Sequence, residues 1–415
     1  ALLELKNPAD EAADIWKAYD QIQTYKAQIP DVFQYNELLL ISDGTEARMG
    51  SLSANAERFM QWRTIDGIAL DPLGEFNELE TLIRGVLAPA LLLDYLRYFV
   101  LFEMSDGQIV KKIAAYHQFH AVRSAVKAAV LAATQPASNT VHEQWASYAD
   151  KVQPGSRMGG IVWHTQGSGK SMSMVCFAAK LMQQKEMQNP TLVVVTDRND
   201  LDGQLFTTFS AASDLLKTTP VQAGDRDELR QMLASREAGG IIFTTVQKFA
   251  LLDEEEAHPQ LSTRTNIVVI SDEAHRSQYG TKGRLDTKTG RYVFGYAKHL
   301  RDALKNATFI GFTGTPLIDG PERSVTEQVF GPYVSVYDFQ RAVSDGATLP
   351  LYYENRGEKL RIVDPDLNKR IEERIDAARA DGELTEEQEE KLYRELAREY
   401  PVFTSEIGRA SCRER

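Results

Sequence analysis

The chain has 415 residues, of which 43% are apolar and 26% are charged, and its formal net charge is −12. This length allows two or three domains at about 150 residues each, and the acidic balance argues against a protein that wraps nucleic acid over its whole surface. A local basic groove is still compatible with it, because phosphate contacts depend on where the Lys and Arg residues lie. The two cysteines, Cys176 and Cys412, are too few for a zinc site and do not indicate a disulfide framework.

The sequence predicts no membrane span and no signal peptide. Its most apolar window, residues 86–102, is interrupted by Asp94 and Arg97, whereas a spanning helix needs about 20 predominantly apolar residues. We therefore expect a reducing, cytoplasmic location. The chain starts without Met inside a strand-like stretch, and residues 405–415 change character abruptly. We expect both ends to be cut and these last residues to be foreign to the natural sequence.

Residues 2–6 (LLELK) are predicted to form a strand. Side chains alternate between the two faces of a strand, so Glu4 and Lys6 share one face while two leucines share the other. A carboxylate is a hard oxygen ligand for Mg²⁺, and a nearby ammonium group stabilises developing negative charge. The two residues are therefore a candidate metal-dependent catalytic pair. An ordinary exposed Glu–Lys pair on an edge strand is the alternative.

A helix is predicted to follow, with Asn7 at its N-cap and Pro8 at its first position. It is expected to end before Pro30, and it places Gln21 and Tyr25 on one face because they are four residues apart. This Glu-x-Lys strand and Gln-x-x-x-Tyr helix resemble the second half of the PD-(D/E)xK nuclease core. In that family the strand carboxylate binds Mg²⁺, the lysine orients or activates the attacking water, and a further aspartate lies upstream.

Two longer helices are predicted before the middle of the chain. Residues 75–97 have apolar positions at helical spacing, and we place a domain boundary near residue 95. A second helix is predicted over residues 111–133. His117 and His120 in this helix have no partners at metal-ligand spacing, so we expect them to be structural.

The stretch GGIVWHTQGSGKSMS has the strand–loop–helix order of a phosphate-binding loop. Gly167 and Gly169 allow backbone N–H groups to turn onto phosphate oxygens, and the N-terminus of the next helix adds partial positive charge. Lys170 would reach the β- and γ-phosphates of ATP, and the Ser171 hydroxyl would bind Mg²⁺. The full pattern has glycine where this chain has His164, but the shorter T-x-G-x-G-K-S core is intact. That core is typical of helicase-like motors rather than small GTPases.

Near-continuous apolar runs after this loop predict four buried strands separated by helices, at residues 191–196, 240–245, 266–270 and 307–312. This pattern indicates a parallel sheet that is covered by helices on both faces. Ligands bind to such sheets just past the carboxyl ends of the strands. The polar residues that follow each run are therefore candidates for a functional site.

The third run ends in the tetrapeptide DEAH, which begins with Asp272 and Glu273. A carboxylate at the end of a buried strand can hold the Mg²⁺ that Ser171 also binds, and its neighbour can orient the attacking water. Each acid alone could be an ordinary surface residue. Their position after an apolar strand, downstream of a GKS motif, predicts that they belong to the same nucleotide site.

Together, five segments resemble superfamily 2 helicase motors and, more narrowly, the restriction (R) subunit of type I restriction–modification systems: HTQGSGKS, VVTDRNDL, FTTVQKF, ISDEAHRSQYG and FTGTPL. The nuclease-like strand and helix that precede them sharpen this match, which covers roughly residues 1–360. The resemblance implies an ATP-dependent translocase on double-stranded DNA, fused to a Mg²⁺-dependent endonuclease. Such subunits work with methyltransferase and specificity subunits, which recognise the DNA site.

The resemblance also implies roles for individual residues. ATP and its Mg²⁺ would be bound by Thr165, Gly167, Ser168, Gly169, Lys170, Ser171 and Asp272. Glu273 would activate water for ATP hydrolysis. Gln118 lies ahead of the phosphate loop, where helicase-like proteins use a glutamine to hydrogen-bond adenine; a polar residue on a surface helix is the alternative.

Three further groups of residues follow from the same resemblance. Nucleotide state would be coupled to DNA contacts by His275, Thr313 and Thr315. The DNA backbone would be contacted in the segments of Arg198, Thr245 and Lys248. In the nuclease, Glu4 would bind the metal, with Lys6, Gln21 and Tyr25 as its catalytic partners.

The predicted fold class is α/β. We expect part of a PD-(D/E)xK nuclease domain over residues 1–95, a first RecA-like parallel-sheet motor domain over residues 96–322, and the start of a second lobe with charged helices over residues 323–415. The late arginine-bearing motif of the family's second lobe does not occur in the sequence. Two alternatives stay open: a superfamily 2 DNA repair or remodelling helicase without nuclease activity, and a truncated chain that only binds ATP or partner subunits.

Overall fold

A computed structural model describes residues 1–9, 14–71, 77–105, 107–134, 151–196, 199–251, 255, 258–274, 284–285, 292–293, 296–315 and 321–349. The chain divides into two compact units, residues 1–350 and 351–415. The second unit, with the charged helices and tail predicted there, lies outside the described residues. In the ranges given above, no helix is long and apolar enough to cross a membrane.

The first three strands are β1 (Leu2–Leu5), β2 (Leu39–Ser42) and β3 (Ala47–Gly50). They form a sheet in that order, with β1 parallel to β2 and β2 antiparallel to β3. Helix α1 (Ile15–Gln28) packs its apolar side chains against Leu39 and Ile41. Leu3 and Leu5 do not share in this core and are 40% and 55% exposed. The face of β1 with Glu4 is therefore the better covered one.

Helix α1 begins at Ile15, so the predicted start at Pro8 is wrong. The N-cap is Asp14, whose carboxylate accepts a hydrogen bond from the backbone N–H of Lys17 at 2.8 Å. The Asn7 side chain instead accepts from the N–H of Ala9 in a local turn. Both residues are good caps, and the apolar residues that α1 buries begin at Ile15. The helix ends at Gln28, ahead of the proline, as predicted.

The middle segment contains α2 (Glu78–Leu82), a π-helical turn (Ile83–Leu87), α3 (Pro89–Tyr98), β4 (Val100–Ser105), β5 (Gln108–Ile113) and α4 (Tyr116–Ala133). The helix predicted over residues 75–97 is interrupted at Ala88, because a residue before proline is driven into an extended conformation. The helix predicted from residue 111 starts only at α4, since the preceding residues pair in the β4–β5 hairpin. Helix α3 runs through residue 95, and the boundary placed there stays a prediction.

The strands after α4 are β6 (Met158–His164), β7 (Thr191–Thr196), β8 (Val221–Gln222), β9 (Ile241–Thr245), β10 (Ile267–Ser271), β11 (Arg284–Leu285), β12 (Tyr292–Val293), β13 (Thr308–Thr313) and β14 (Tyr333–Tyr337). Strands β11 and β12 form a short antiparallel pair. The other seven form one parallel sheet in the order β14-β6-β13-β10-β7-β9-β8. Because β7, β9, β10 and β13 match the four predicted apolar runs, the α/β fold class with its parallel sheet is confirmed.

The helices of this part are α5 (Lys170–Met182), α6 (Asn199–Ala211), α7 (Ser213–Leu216), α8 (Arg226–Ser235), α9 (Tyr296–Ala303), α10 (Pro321–Phe330) and α11 (Phe339–Ser344). The sheet separates two hydrophobic cores, as the sequence predicted. In β7, Leu192 and Val194 face the core that contains α4 and α5. Val193 and Val195 face the core that contains α8 and α9. A strand buried on both faces needs apolar residues at every position, which explains the unbroken run TLVVVT.

Strand β14 extends the sheet beyond the predicted motor domain. It pairs in parallel with β6, with Tyr337 opposite His164, although residues from 323 onward were expected to start a second lobe. The first sheet therefore continues past residue 322. The boundary itself stays a prediction, because the chain after residue 349 lies outside the described ranges.

The contact between β6 and β14 generates a stability prediction. Gly160 has a φ of 96°, and a Cβ placed on it would lie 2.3 Å from Val334 Cγ1 in β14. Gly160→Ala should therefore lower the free energy of unfolding by more than about 1 kcal/mol, through backbone strain and this clash. Chemical denaturation of the two proteins measures the difference.

Gly203→Ala is the matched control. Gly203 lies in helix α6, and a Cβ there would meet nothing within 4 Å, so the exchange should raise stability by up to about 1 kcal/mol through helix propensity. Equal stabilities for Gly160→Ala and the parent protein would contradict the pairing of β14 with β6.

Candidate nucleotide-binding site

Residues 165–169 join β6 to α5 in a tight loop. Gly167 and Gly169 have φ values of 85° and 81°, which glycine adopts without the steric cost of a side chain. The Ser168 hydroxyl donates to the carbonyl of Thr165 at 2.5 Å and closes the turn. The N–H groups in the first turn of α5, which starts at Lys170, have no intrahelical acceptor. The loop thus combines backbone donors with the positive end of a helix, an arrangement that favours an anion.

Three neighbouring strands bring the loop, an acidic pair and a glycine together. Strands β6, β13 and β10 are adjacent and parallel, so their carboxyl ends meet at one edge of the sheet. The Lys170 side chain extends across this edge to Gly314, which follows β13. Its Nζ lies so near that a Cβ added to Gly314 would be only 2.7 Å from it. The charge of Lys170 also acts on Asp272, which follows β10. Motifs that are far apart in the sequence therefore share one location.

The acidic pair is held by backbone hydrogen bonds. The N–H of Asp272 donates to the carbonyl of Val195 at 2.9 Å. The pKa of the Asp272 carboxyl is raised to about 6, first by burial and then by the neighbouring Glu273, against the opposing effects of the Glu273 N–H and Lys170. Glu273 has a φ of 47°, a strained value for a residue with a side chain. Its Oε2 accepts from the N–H of Gly314 at 3.4 Å.

These side chains suit a divalent cation that is bound together with a polyphosphate. Asp272, Glu273 and Ser171 offer oxygen donors, the type that Mg²⁺ prefers. The raised pKa of Asp272 indicates a carboxylate whose negative charge is poorly compensated, and a cation beside it would supply the compensation. In the part of the chain that the structure describes, no group of three or more His, Cys, Asp or Glu forms a metal site.

Two of the residues predicted to couple nucleotide state to DNA contacts lie at the end of β13 and in the turn that follows it. Thr313 is 2% exposed, and its hydroxyl donates to the Thr315 carbonyl at 3.1 Å. The N–H of Thr315 donates back to the same hydroxyl at 3.2 Å. This small turn fixes the backbone around Gly314. The third predicted residue, His275, lies outside the described residues, and the coupling role stays a prediction.

Gln118 lies beneath the phosphate loop and is 6% exposed, so the alternative of a polar residue on a surface helix is wrong. Its side-chain Oε1 accepts from the N–H of Ala115 at 2.8 Å. Its Nε2 donates to the carbonyls of Ser168 and Gly169, at 3.3 and 2.9 Å. Gln118 thus hydrogen-bonds the backbone of the phosphate loop. Its predicted contact with adenine stays a prediction.

Two residues that the sequence did not assign to the site also contact the loop region. His117 Nε2 lies 3.2 Å from the Ser168 carbonyl oxygen, and the His117 ring stacks on Tyr337 with centroids 3.8 Å apart. His164, at the position of the missing glycine, is fully buried, and its Nε2 lies 3.1 Å from the Ser335 hydroxyl. No sequence pattern links residues 117 and 337, because their contact depends on β14 joining the sheet.

The predicted nuclease residues lie in the small sheet and its helix. Glu4 and Lys6 share a face of the chain at β1, as predicted, and form an ion pair with 2.9 Å between Oε1 and Nζ. Their side chains are 16% and 23% exposed, so the pair is half-buried rather than the open surface pair of the alternative. Gln21 and Tyr25 lie on α1, which packs against β1 and β2. The catalytic roles of these residues stay predictions.

Two of the three residues predicted to contact DNA lie in the described part of the chain, and both contact other parts of the protein. Thr245 ends β9 and is 3% exposed. Lys248 Nζ donates to the carbonyl of Ala223 at 2.5 Å. Arg198 lies outside the described residues. Contact of these residues with DNA stays a prediction.

Comparison with protein families gives two matches along the chain. The profile of the SWI2/SNF2 ATPase family matches residues 117–389, which contain the loop, the acidic pair and the whole parallel sheet. The chain belongs to the SWI2/SNF2 ATPase family. The profile of the type I restriction enzyme R protein N terminus matches residues 1–58, which contain the small sheet with Glu4 and Lys6. In this chain the restriction-type segment therefore precedes the parallel sheet.

Relatives that match most of this chain are named as subunits of type I restriction enzymes. The type I restriction enzyme HindI endonuclease subunit of Haemophilus influenzae is 53% identical over 356 residues, covering 85% of this chain and 32% of the relative. The candidate type I restriction enzyme MjaIXP endonuclease subunit of Methanocaldococcus jannaschii is 33% identical over 403 residues, covering 93% of this chain and 34% of the relative. The predicted resemblance to type I R subunits is confirmed, and the chain spans about a third of the length of these relatives.

A solved structure with some likeness is a nuclease-deletion mutant of the Type ISP restriction-modification enzyme LlaGI in complex with a DNA substrate mimic. It is 17% identical, and the likeness covers 54% of this chain and 20% of that one, with a TM-score of 0.30. A score this low carries no conclusion about function.

The raised pKa of Asp272 generates a prediction on pH-dependent stability. A carboxyl whose pKa is raised to about 6 in the folded chain binds its proton more tightly there than in the unfolded chain. Loss of this proton therefore lowers the free energy of unfolding as the pH rises from about 4 through about 6, by at most about 3 kcal/mol in total. Asp272→Asn should consequently raise the free energy of unfolding of the ligand-free protein at pH 7.5 and leave it nearly unchanged at pH 4.

Urea denaturation at both pH values measures this difference. Asp20→Asn is the control, because Asp20 lies on the exposed side of α1 and its exchange should change little at either pH. A loss of stability in Asp272→Asn at pH 7.5 would show that the Asp272 carboxylate is well compensated in the folded chain.

Proposed function

We propose that this chain is the nuclease-linked motor part of a type I restriction endonuclease subunit, which hydrolyses ATP to translocate double-stranded DNA and cleaves it with a separate Mg²⁺-dependent site. The observation that carries the proposal is the meeting of Lys170 with Asp272, Glu273 and Gly314 at the ends of three adjacent strands. The family match over residues 117–389 supports the ATPase, and the match over residues 1–58 supports the restriction context.

In this proposal the loop binds the triphosphate of ATP. The N–H groups of residues 167–171 hydrogen-bond phosphate oxygens, and Lys170 neutralises charge on the β- and γ-phosphates. Ser171 and Asp272 would hold Mg²⁺, which would supply positive charge to compensate the phosphates. Glu273, whose Oε2 accepts from the N–H of Gly314 at 3.4 Å, would act as the general base that accepts a proton from the attacking water.

The nuclease would work independently of this site. Glu4 would bind its own Mg²⁺, and Lys6, 2.9 Å from Glu4, would stabilise the charge that develops on the scissile phosphate. Gln21 and Tyr25 on α1 would position DNA or water. Methyltransferase and specificity subunits are the proposed partners, because the relatives are named as subunits of type I restriction enzymes.

The first prediction tests nucleotide binding. Lys170→Ala should abolish the rise in melting temperature that Mg²⁺ and ATP give the parent chain, because it removes the only side-chain charge that we place against the β- and γ-phosphates. Thermal denaturation with and without Mg–ATP measures the effect. Lys185→Ala, at an exposed position beyond the end of α5, should keep the full rise. Equal stabilisation of Lys170→Ala and the parent would refute the assignment of the loop.

The second prediction tests the nuclease. In the restriction complex reconstituted with its methyltransferase and specificity subunits, Glu4→Ala and Lys6→Ala should each eliminate double-strand cleavage. ATP hydrolysis should continue, because both residues lie in a sheet separate from the phosphate loop. Plasmid cleavage and phosphate release, measured on the same samples, separate the two activities.

Leu5→Ala is the matched control for the nuclease, since Leu5 is 55% exposed on the other face of β1. It should cleave like the parent complex. Parental cleavage by Glu4→Ala would instead favour a superfamily 2 helicase without nuclease activity, in which the Glu4–Lys6 pair has only a structural role.

A further inference from the structure

We infer that His117 is a positioning residue for the phosphate-binding loop, which it holds in its phosphate-binding conformation through a hydrogen bond to the Ser168 carbonyl and a stack on Tyr337. The inference rests on the proposed binding of ATP at this loop. It goes beyond that proposal by assigning a function to a residue that makes no contact with the site of the phosphates, and by making strand β14 part of the nucleotide site.

The contacts of His117 define its position closely. Its ring lies parallel to that of Tyr337, with centroids 3.8 Å apart and 7° between the planes. Its Nε2 lies 3.2 Å from the Ser168 carbonyl oxygen. His117 is 8% exposed, so its surroundings exclude water that would otherwise compete for its ring nitrogen. The ring is therefore held on one face by Tyr337 and at its tip by the loop.

His117 is protonated in a way that lets its Nε2 donate a hydrogen bond. The pKa of its imidazole is lowered to about 4, chiefly by burial, so the ring is neutral at physiological pH and carries one hydrogen. Among the residues that the structure describes, Nδ1 has no hydrogen-bond partner. The hydrogen therefore belongs on Nε2, where it is donated to the Ser168 carbonyl.

Fixing that carbonyl also fixes an N–H group of the loop. In a planar trans peptide, the C=O and the following N–H point in opposite directions. When the Ser168 carbonyl is held toward α4 by His117, the N–H of Gly169 must point away from α4. Gln118 does the same for the next peptide, since its Nε2 donates to the Gly169 carbonyl at 2.9 Å. Two consecutive N–H groups are thereby aimed in a direction suited to an anion.

The loop needs this support because Gly169 directly follows the peptide and Gly167 lies one residue before it. Gly167 and Gly169 both have positive φ values, and glycine exchanges easily between positive and negative φ. Without His117, the Ser168 carbonyl keeps only the 3.3 Å hydrogen bond from Gln118 Nε2, which also donates to the Gly169 carbonyl. The peptide between Ser168 and Gly169 then rotates more freely and can direct its N–H away from a bound phosphate. Pre-organisation by His117 avoids the entropy cost of ordering this peptide on binding.

The stacking partner is itself fixed. The Tyr337 hydroxyl donates to Asp345 Oδ2 at 2.9 Å, and Asp345 Oδ1 pairs with Arg63 Nη1 at 2.6 Å. The Tyr337 carbonyl accepts from the N–H of Thr165 at 2.9 Å, at the other end of the loop. Tyr337 thus supports the loop twice, once through its backbone and once through its ring and His117.

Two variants of His117 separate hydrogen bonding from packing. His117→Phe keeps a flat ring against Tyr337 but cannot donate to the Ser168 carbonyl, whereas the amide of His117→Gln can donate from nearly the same point as Nε2. A net hydrogen bond of about 1 kcal/mol corresponds to roughly a fivefold change in affinity. His117→Phe should therefore weaken binding of Mg–ATP about fivefold, and His117→Gln should restore it to within about twofold of the parent.

Inorganic tripolyphosphate with Mg²⁺ is the second probe, because it lacks adenine. Calorimetric titration should show that His117→Phe weakens tripolyphosphate binding by the same factor as ATP binding, since the altered peptide faces phosphate. Tyr337→Leu, which removes the stack, should weaken both ligands in the same direction and provides the test if His117→Phe does not fold. Melting temperatures without ligand, measured on every variant, report any loss of folding.

The outcomes distinguish the inference from the proposed function. Loss of ATP binding in Lys170→Ala, together with parental affinities in His117→Phe or Tyr337→Leu, would overturn the inference and leave the proposed function intact. A lower melting temperature with weakened binding that His117→Gln fails to restore would assign His117 to packing alone, and would also overturn it. Unchanged ATP binding in Lys170→Ala would overturn the proposed function and the inference with it.

Discussion

Parallel strands end at the same edge of a sheet, and this constraint brings the ends of β6, β13 and β10 together. The loop after β6, the turn after β13 and the acids after β10 can meet only while the register of each strand is kept. The two cores hold that register, because Leu192 and Val194 pack on one side and Val193 and Val195 on the other. The packing of the sheet is therefore what aligns the nucleotide site.

The acidic turn shows how the fold maintains an unfavourable local arrangement. Two carboxylates follow one another in Asp272 and Glu273, and Glu273 has a φ of 47°. The turn is held on both sides: the N–H of Asp272 donates to Val195 in β7, and the N–H of Ala274 donates to Phe312 in β13, at 2.9 and 3.0 Å. Backbone hydrogen bonds to two neighbouring strands offset the strain and repulsion, so the acids are in place before any cation binds.

The sequence predicted the parts of the fold that depend on local chemistry. Unbroken apolar runs located the buried strands, and the glycine–lysine–serine motif and DEAH located the loop and the acids, because each pattern has a direct physical cause. The start of α1 was missed because Asn7 and Asp14 are both good caps and only burial decides between them. The contact of His117 with Tyr337, and the position of β14, depend on strand order, which no local pattern in one sequence encodes.

The place of β6 in the sheet has a consequence for the synthesis of the protein. Both neighbours of β6, β13 and β14, are encoded downstream, and the second begins at residue 333. At about 5–20 residues per second, the ribosome needs roughly 10–30 s to add the intervening stretch of about 170 residues. Until β13 is made, the nascent chain carries an apolar strand with two unpaired edges, and one edge stays unpaired until β14 follows. An unpaired edge is a template for wrong pairing. Helix α4, which precedes β6 and packs against it, is the element available to shield it on the ribosome.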